Sequence, residues 1–380
     1  MKLYQSVFIA NTGNCSITSV TQILHRWRVS AFIMYNFSVR HQSSIKRKID
    51  KEAKLLAEPL GLDNKIEHYA NRPAFISLKD HKENFKSKTP CRLINPSKPE
   101  MGKVAKQYLD TINKAVISAT NLNQWKNTST VINWFKAIPN KSHSRFIKFD
   151  IVEFYPSISE NLLDKAIAYA SSITSIPNRA LAVIKNSRKS LLFDSSDTWV
   201  KKGPNSLFDV TMGCFDGAEV CELVGLYLLS KLSALVNKAS IGLYRDDGLA
   251  VVSNISGPTL DRLRKRITAL FKEENLSITI ETNLLSTDFL DVTLDLQREK
   301  YYPYRKPNNK LSYINARSNH PPTIIKELPI MVNKRISDLS CDKDEFDKAK
   351  DVYELAFKEN GHNATFKYEP AKQNSKRKTH

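Results

Sequence analysis

No apolar run in this sequence approaches the roughly 20 residues that a bilayer-spanning helix needs, so no transmembrane helix and no membrane partner are expected. Cysteine is scarce and poorly placed for a scaffold. Cys15, Cys91, Cys214, Cys221 and Cys341 are odd in number, widely spaced and free of any C-x-x-C. That argues against a disulfide framework or a thiolate zinc site and points to a reducing compartment. Acid is the third shortage. The first 49 residues hold no Asp or Glu, against Lys2, Arg26, Arg28, Arg40, Lys46, Arg47 and Lys48. Across the 380 residues, 58 Lys and Arg outnumber 39 Asp and Glu, a net charge of +19. Such a balance suits a chain that meets a polyanion, nucleic acid ahead of an anionic membrane surface, although charge alone can also serve solubility.

What is present suffices for a core. Hydrophobic residues make up 41% of the chain, enough for one large or two to three smaller folded units. A charged helix near Ser44 to Leu60 leads into apolar runs at Ala74 to Leu78 and Cys91 to Ile94, which read as a long hairpin with a basic loop. Helices are expected at Lys103 to Ala119 and Ser129 to Lys136. A strand ending in FIKFD follows, then a Pro-containing turn and an amphipathic helix for which Ser157 and Glu160 fit a capping box. A hairpin turning at Ser195 to Asp197 precedes the longest apolar helix, FDGAEVCELVGLYLLSKLSALV. After the hairpin LYRDDGLAVV comes a helix with Leu260, Leu263, Ile267, Leu270 and Phe271 on one face. Short strands are read at Ser277 to Thr282 and Phe289 to Leu296. Hairpins separated by helices, without regular βαβ alternation, make the class α+β.

The aspartates are the chemically pointed feature. Asp150 ends a strongly apolar strand, where a charge is expensive unless it sits at the sheet rim or binds a cation. Asp246 and Asp247 occupy a hairpin tip. Two such tips side by side would concentrate three carboxylates, whose repulsion cations or protons must relieve. Magnesium suits them, since it takes oxygen ligands from one or two carboxylates plus substrate phosphates. Two such ions about 4 Å apart support phosphoryl displacement. Asp-Gly is also a favoured hairpin turn, so DDG by itself does not decide between a turn and a ligand pair.

FDIVEFYPSI, MGCFDGAE and YRDD resemble, in order and spacing, the palm motifs of reverse transcriptases, and FISLKDHK and CRLINP resemble their two fingers strands. ITIETNLLSTDFLDVTLDL, YRKPNN and SNHPP are similar to the region after the palm in Penelope-like retroelement reverse transcriptases. The match runs from about Ile45 to about Phe357. It implies a right-hand polymerase whose palm is an antiparallel sheet with packed helices. The implied divisions are a basic, poorly ordered extension (1–44), fingers with an N-terminal helical region (45–140), palm (141–256), thumb and post-palm region (257–357) and a basic tail (358–380).

The resemblance also implies an activity: RNA-directed DNA polymerisation, with an RNA template, a DNA primer and dNTPs as partners. Two Mg2+ ions, or Mn2+, would be held by Asp150, Asp246 and Asp247. Lys79 and Arg92 fall where the family holds the triphosphate, and a guanidinium grips phosphate oxygens in pairs. A solvated basic hairpin is the plainer account of Lys79. Tyr155 falls at the aromatic gate against a ribose 2′-hydroxyl, or is a packed aromatic beside Pro156. Gly213 would let backbone approach the nascent base pair, or simply enter a helix. Met212 replaces the glutamine of many reverse transcriptases and FDGAE their Ser-Pro, which leaves any role of Asp216 or Glu219 open. No GIY-YIG endonuclease motif is seen. A relative that binds nucleic acid without catalysis, or a same-fold polymerase with another template, is the alternative. KRK clusters at Lys46 to Lys48 and Lys376 to Lys378 suggest the nucleus, the acid-free N terminus a mitochondrion, and a cytoplasmic site stays open.

Overall fold

The computed structural model describes residues 37–39, 43–62, 74–78, 91–96, 100–193, 198–202, 207–307 and 311–370. Its elements, in chain order, begin with β1 (Phe37–Val39), α1 (Ser43–Ala57), β2 (Phe75–Leu78), β3 (Cys91–Ile94), α2 (Glu100–Thr120), β4 (Asn123–Gln124), α3 (Thr128–Ala137) and β5 (Ser144–Ile151). Then come α4 (Phe154–Ser157), α5 (Glu160–Ser171), α6 (Asn178–Asn186), β6 (Leu192–Phe193), β7 (Thr198–Lys201), α7 (Gly217–Leu232), β8 (Ile241–Tyr244) and β9 (Asp247–Ser253). The chain closes with α8 (Gly257–Glu273), β10 (Ile278–Leu284), β11 (Ser286–Phe289), β12 (Val292–Asp295), β13 (Lys300–Pro303), α9 (Pro322–Asp338) and α10 (Lys343–Glu359). Among the described residues no helix is long and apolar enough to cross a membrane.

The chain forms two compact units, residues 1–121 with 153–228 and residues 122–152 with 229–380. The first is mostly helical. Its strands form the hairpin β2–β3, with Ser77 opposite Arg92, and a three-stranded sheet in the order β1-β7-β6. Strand β1 lies inside the stretch read from sequence as a poorly ordered extension, and it pairs through Phe37 with Lys201. The turn expected at Ser195 to Asp197 lies outside the described residues, but the strands on either side pair as that reading requires, Phe193 with Thr198. Helix α7 is largely apolar, and its Val220, Cys221, Leu223, Val224, Leu226 and Leu228 are fully buried.

One cap differs from the sequence reading. Residues Phe154 to Ser157 already form a helical turn, so Ser157 cannot take the extended geometry of an N-cap. Ser159 does, at φ −86° and ψ 162°, and its hydroxyl accepts the Leu162 N–H at 3.2 Å.

The second unit is built on a five-stranded sheet in the order β10-β5-β9-β8-β4, antiparallel except where β4 joins β8. Central β5 buries side chains on both of its faces. Phe149 packs on Phe271 of α8 with ring centroids 5.4 Å apart, and α8 buries the five residues its periodicity selected. Phe146, Leu249 and Val251 face the other way, into an aromatic cluster of Trp125, Trp134, Phe135, Phe289 and Tyr301. Trp125 anchors it, with centroids 5.1 Å from Trp134 and 5.4 Å from Phe289. The single strand expected at Phe289 to Leu296 is instead the bend of a hairpin: Leu290 takes φ 55°, and β11 turns back into β12 with Phe289 opposite Val292.

Gly248 pairs with Phe149 in register, and a Cβ there would fall inside the Phe149 ring. Phe149 is locked in the core and has nowhere to move. Gly248→Ala should therefore destabilise the chain by about 1–3 kcal/mol, and Phe149→Leu in the same chain should recover part of that loss. Urea unfolding measures both, and a neutral Gly248→Ala would contradict this packing.

Candidate active site

Strand order brings the three aspartates together. Asp150 is the next-to-last residue of β5, and its register partner across the ladder is Asp247, the first residue of β9. Directly opposed side chains on one sheet face stand about 5 Å apart at Cβ. The hairpin β8–β9 closes on the pair Tyr244 and Asp247, so the two-residue turn is Arg245–Asp246. The Asp-Gly of the motif is thus not the turn itself. The main chain places Gly248 under the Phe149 ring and Asp247 in the ladder, which moves the reversal two residues upstream. Arg245 adopts φ 54°, a left-handed conformation that costs a side-chain-bearing residue about 1–2 kcal/mol. The Ile151 N–H donates to the Asp246 carbonyl at 2.9 Å, which ties the turn to the end of β5.

All three carboxylates are half-buried. The Asp247 carboxyl is pushed up to about 6, first by burial and then by the charges of Asp246 and Asp150. Lys148 and Lys306 act in the opposite direction. Lys148 lies two residues before Asp150 on the same face of β5, opposite Glu281 on one side and Leu249 on the other. Sequence reading passed over both lysines. The period of two along β5 points to Lys148, whereas Lys306 carries no local signal.

Oxygen donors crowded until one of them resists ionising suit a hard divalent cation. Among the described residues no group of three or more His, Cys, Asp or Glu side chains is placed so that it could hold a metal ion.

The remaining candidates belong to the other unit. Arg92 is exposed on β3, and Lys79 lies outside the described residues. Tyr155 is half-buried on the short α4, which Glu153 opens at φ 49°. A Cβ on Gly217 would meet the Tyr155 ring at 3.5 Å. Gly213 takes φ 108°, and a Cβ there would stand 2.9 Å from the Asn95 carbonyl oxygen, so glycine is required twice over. Cys214 precedes α7, and Cys221 is buried within it.

No protein-family model matches the chain, and no curated protein matches its sequence. Solved structures do. Telomerase from Candida albicans, in complex with a fragment of telomeric RNA, matches with a TM-score of 0.55 at 11% identity, covering 90% of this chain and 60% of that one. Apo telomerase from Candida tropicalis matches with a TM-score of 0.52 at 12% identity, covering 74% and 52%. The chain has a polymerase-like fold. It spans between half and two thirds of the length of the telomerase chains it matches. The expected α+β right-hand polymerase class is therefore borne out. The Penelope-like resemblance finds no counterpart in these comparisons.

The Asp247 shift predicts how stability follows pH. Its folded value lies above the ordinary 3.8, so the unfolded chain ionises first and ionisation penalises the fold. The penalty is absent below about pH 4 and complete above about pH 6, worth at most about 3 kcal/mol before solvent screening reduces it. Without divalent cations, Asp247→Asn should gain on the wild type in urea midpoint as pH rises from 4 to 7. A difference that does not change with pH would contradict the clustering.

Proposed function

We propose that this chain is a template-directed nucleic-acid polymerase and, more narrowly, an RNA-directed DNA polymerase of the Penelope-like retroelement type. The observation that carries the polymerase reading is the register pairing of Asp150 with Asp247, with Asp246 at the adjoining turn. The narrower assignment rests on the motif resemblance. Its product sugar follows from Tyr155, which would exclude a 2′-hydroxyl; the template follows from the family alone.

In this reading a primer 3′-hydroxyl attacks the α-phosphorus of a dNTP and pyrophosphate leaves. Positioning and electrostatic stabilisation supply most of the rate. Asp150, Asp246 and Asp247 would hold two Mg2+ ions, which when bound lower the hydroxyl pKa and neutralise charge on the leaving oxygen. At neutral pH Asp247 is mostly ionised and available as a ligand, since its carboxyl titrates near 6. Lys79 and Arg92 would bind the triphosphate, and Gly213 would lie beside the nascent pair. The surplus of positive charge, +19, would neutralise template and primer phosphates.

Primer extension on RNA and DNA templates with Mg2+ is the test. The wild type should extend on RNA with dNTPs. Asp150→Asn and Asp246→Ala should each lower extension by about 10³-fold or more while primer–template affinity holds. Binding without magnesium-dependent extension would refute the enzyme. Tyr155→Val should narrow the preference for dNTPs over NTPs by about tenfold or more; an unchanged preference would remove Tyr155 as the gate.

A further inference from the structure

Arg188 is 1% exposed and forms an ion pair with Asp216, which is also 1% exposed. Ser187 Oγ donates to the other carboxylate oxygen of Asp216 at 2.7 Å. The Asp216 carbonyl accepts the Val220 N–H at 3.0 Å, so the pair is fixed to the first turn of α7, where the helix dipole favours an anion. Among the described residues Arg188 Nε and Nη1 have no hydrogen-bond partner, and they adjoin a water-sized cavity lined by Gly102, Ser190, Asp209 and Thr211.

Between this pair and strand β3 runs the Thr211–Asp216 loop. At its far side the Asn95 N–H donates to the Met212 carbonyl at 2.9 Å. The Asn95 side chain donates to Ser190 Oγ at 3.1 Å and to the Leu191 carbonyl at 3.0 Å, which joins β3 to the segment that bears Arg188. Gly213 sits against the Asn95 carbonyl, and Cys214 Sγ donates to the Thr211 carbonyl at 2.9 Å. The loop is held at one end by Asn95 and at the other by Asp216.

A buried ion pair is a poor way to gain stability, since apolar residues of the same size usually match or exceed it. What it adds is geometry, because the Asp216 carboxylate is held at both oxygens, one by Arg188 Nη2 and the other by Ser187 Oγ, which fixes its place and its angle. We propose that the Arg188–Asp216 pair is a positioning device that holds the Thr211–Asp216 loop seated on Asn95, and so sets the affinity for an incoming deoxynucleoside triphosphate. The nucleotide part rests on the polymerase reading above. Neither residue touches substrate in this account, and both act through Gly213.

The test is the double variant Arg188→Met/Asp216→Leu, which removes both charges and keeps the volume, against Arg188→Lys, which keeps the charge but withdraws the Nη2 donor from its place on Asp216. Two readouts separate the claims. Amide exchange at Asn95, whose N–H is bonded to Met212, needs no activity; it should speed by about tenfold in the double variant and less in Arg188→Lys. In primer extension the double variant should raise KM for dNTP by about tenfold with kcat and primer–template affinity little changed, and Arg188→Lys should recover part of that loss. Unchanged exchange at Asn95 overturns the hold on the loop. Faster exchange with unchanged KM overturns the link to the nucleotide. A wild type that extends no primer removes the polymerase reading and the nucleotide role with it, while exchange still decides whether the pair holds the loop. If the double variant does not fold, Arg188→Lys decides alone, and wild-type exchange and KM in it would overturn the proposal.

Discussion

Like charges separate unless something stronger holds them, and in this chain the backbone ladder does so. Seven register pairs join Ser144–Asp150 to Asp247–Ser253, and the last of them sets one aspartate against another. Slipping the register by one residue would separate the carboxylates, but it would also turn Phe146 and Phe149 to the wrong faces of the sheet. The hydrophobic pattern therefore enforces an electrostatic conflict. Burial makes that conflict sharper, as the raised Asp247 carboxyl shows.

The surroundings explain why the strain is borne. On one face of the sheet α8 covers Phe149 through Phe271, and on the other the Trp125 cluster covers Phe146 and Leu249. Both faces are filled up to the edge at which the aspartates emerge. Arg245 holds a left-handed turn there, and such outliers persist only where the rest of the fold over-determines them. A sheet that holds carboxylates together at a partly exposed end is what the proposed cation site requires.

Much of this was legible in the sequence because period-two and period-3.6 patterns are local. The buried face of α8, the apolar α7 and the β8–β9 hairpin follow from them. The errors were also local: Asp-Gly looked like the turn, and Ser157 looked like the cap. In each case tertiary packing moved the boundary by two residues, through the Phe149 ring over Gly248 and through the helical turn begun at Phe154. Lys306, Asn95 and the Arg188–Asp216 pair left no local signal. Their partners lie tens of residues away, so a single chain without its fold could not show them. Of the candidate site, the structure brings together Asp150, Asp246 and Asp247, while the roles of Arg92, Tyr155 and Gly213 rest on resemblance.

The central claim is that these three carboxylates form a site for divalent cations that act on a nucleotide. Binding of Mn2+ measured by electron paramagnetic resonance, with primer–template and a non-hydrolysable dNTP present, tests it most directly. The account predicts about two ions bound per wild-type chain, as the two-metal chemistry requires, and loss of that binding in Asp150→Asn and Asp247→Asn. Equal Mn2+ binding by the wild type and both variants would contradict it.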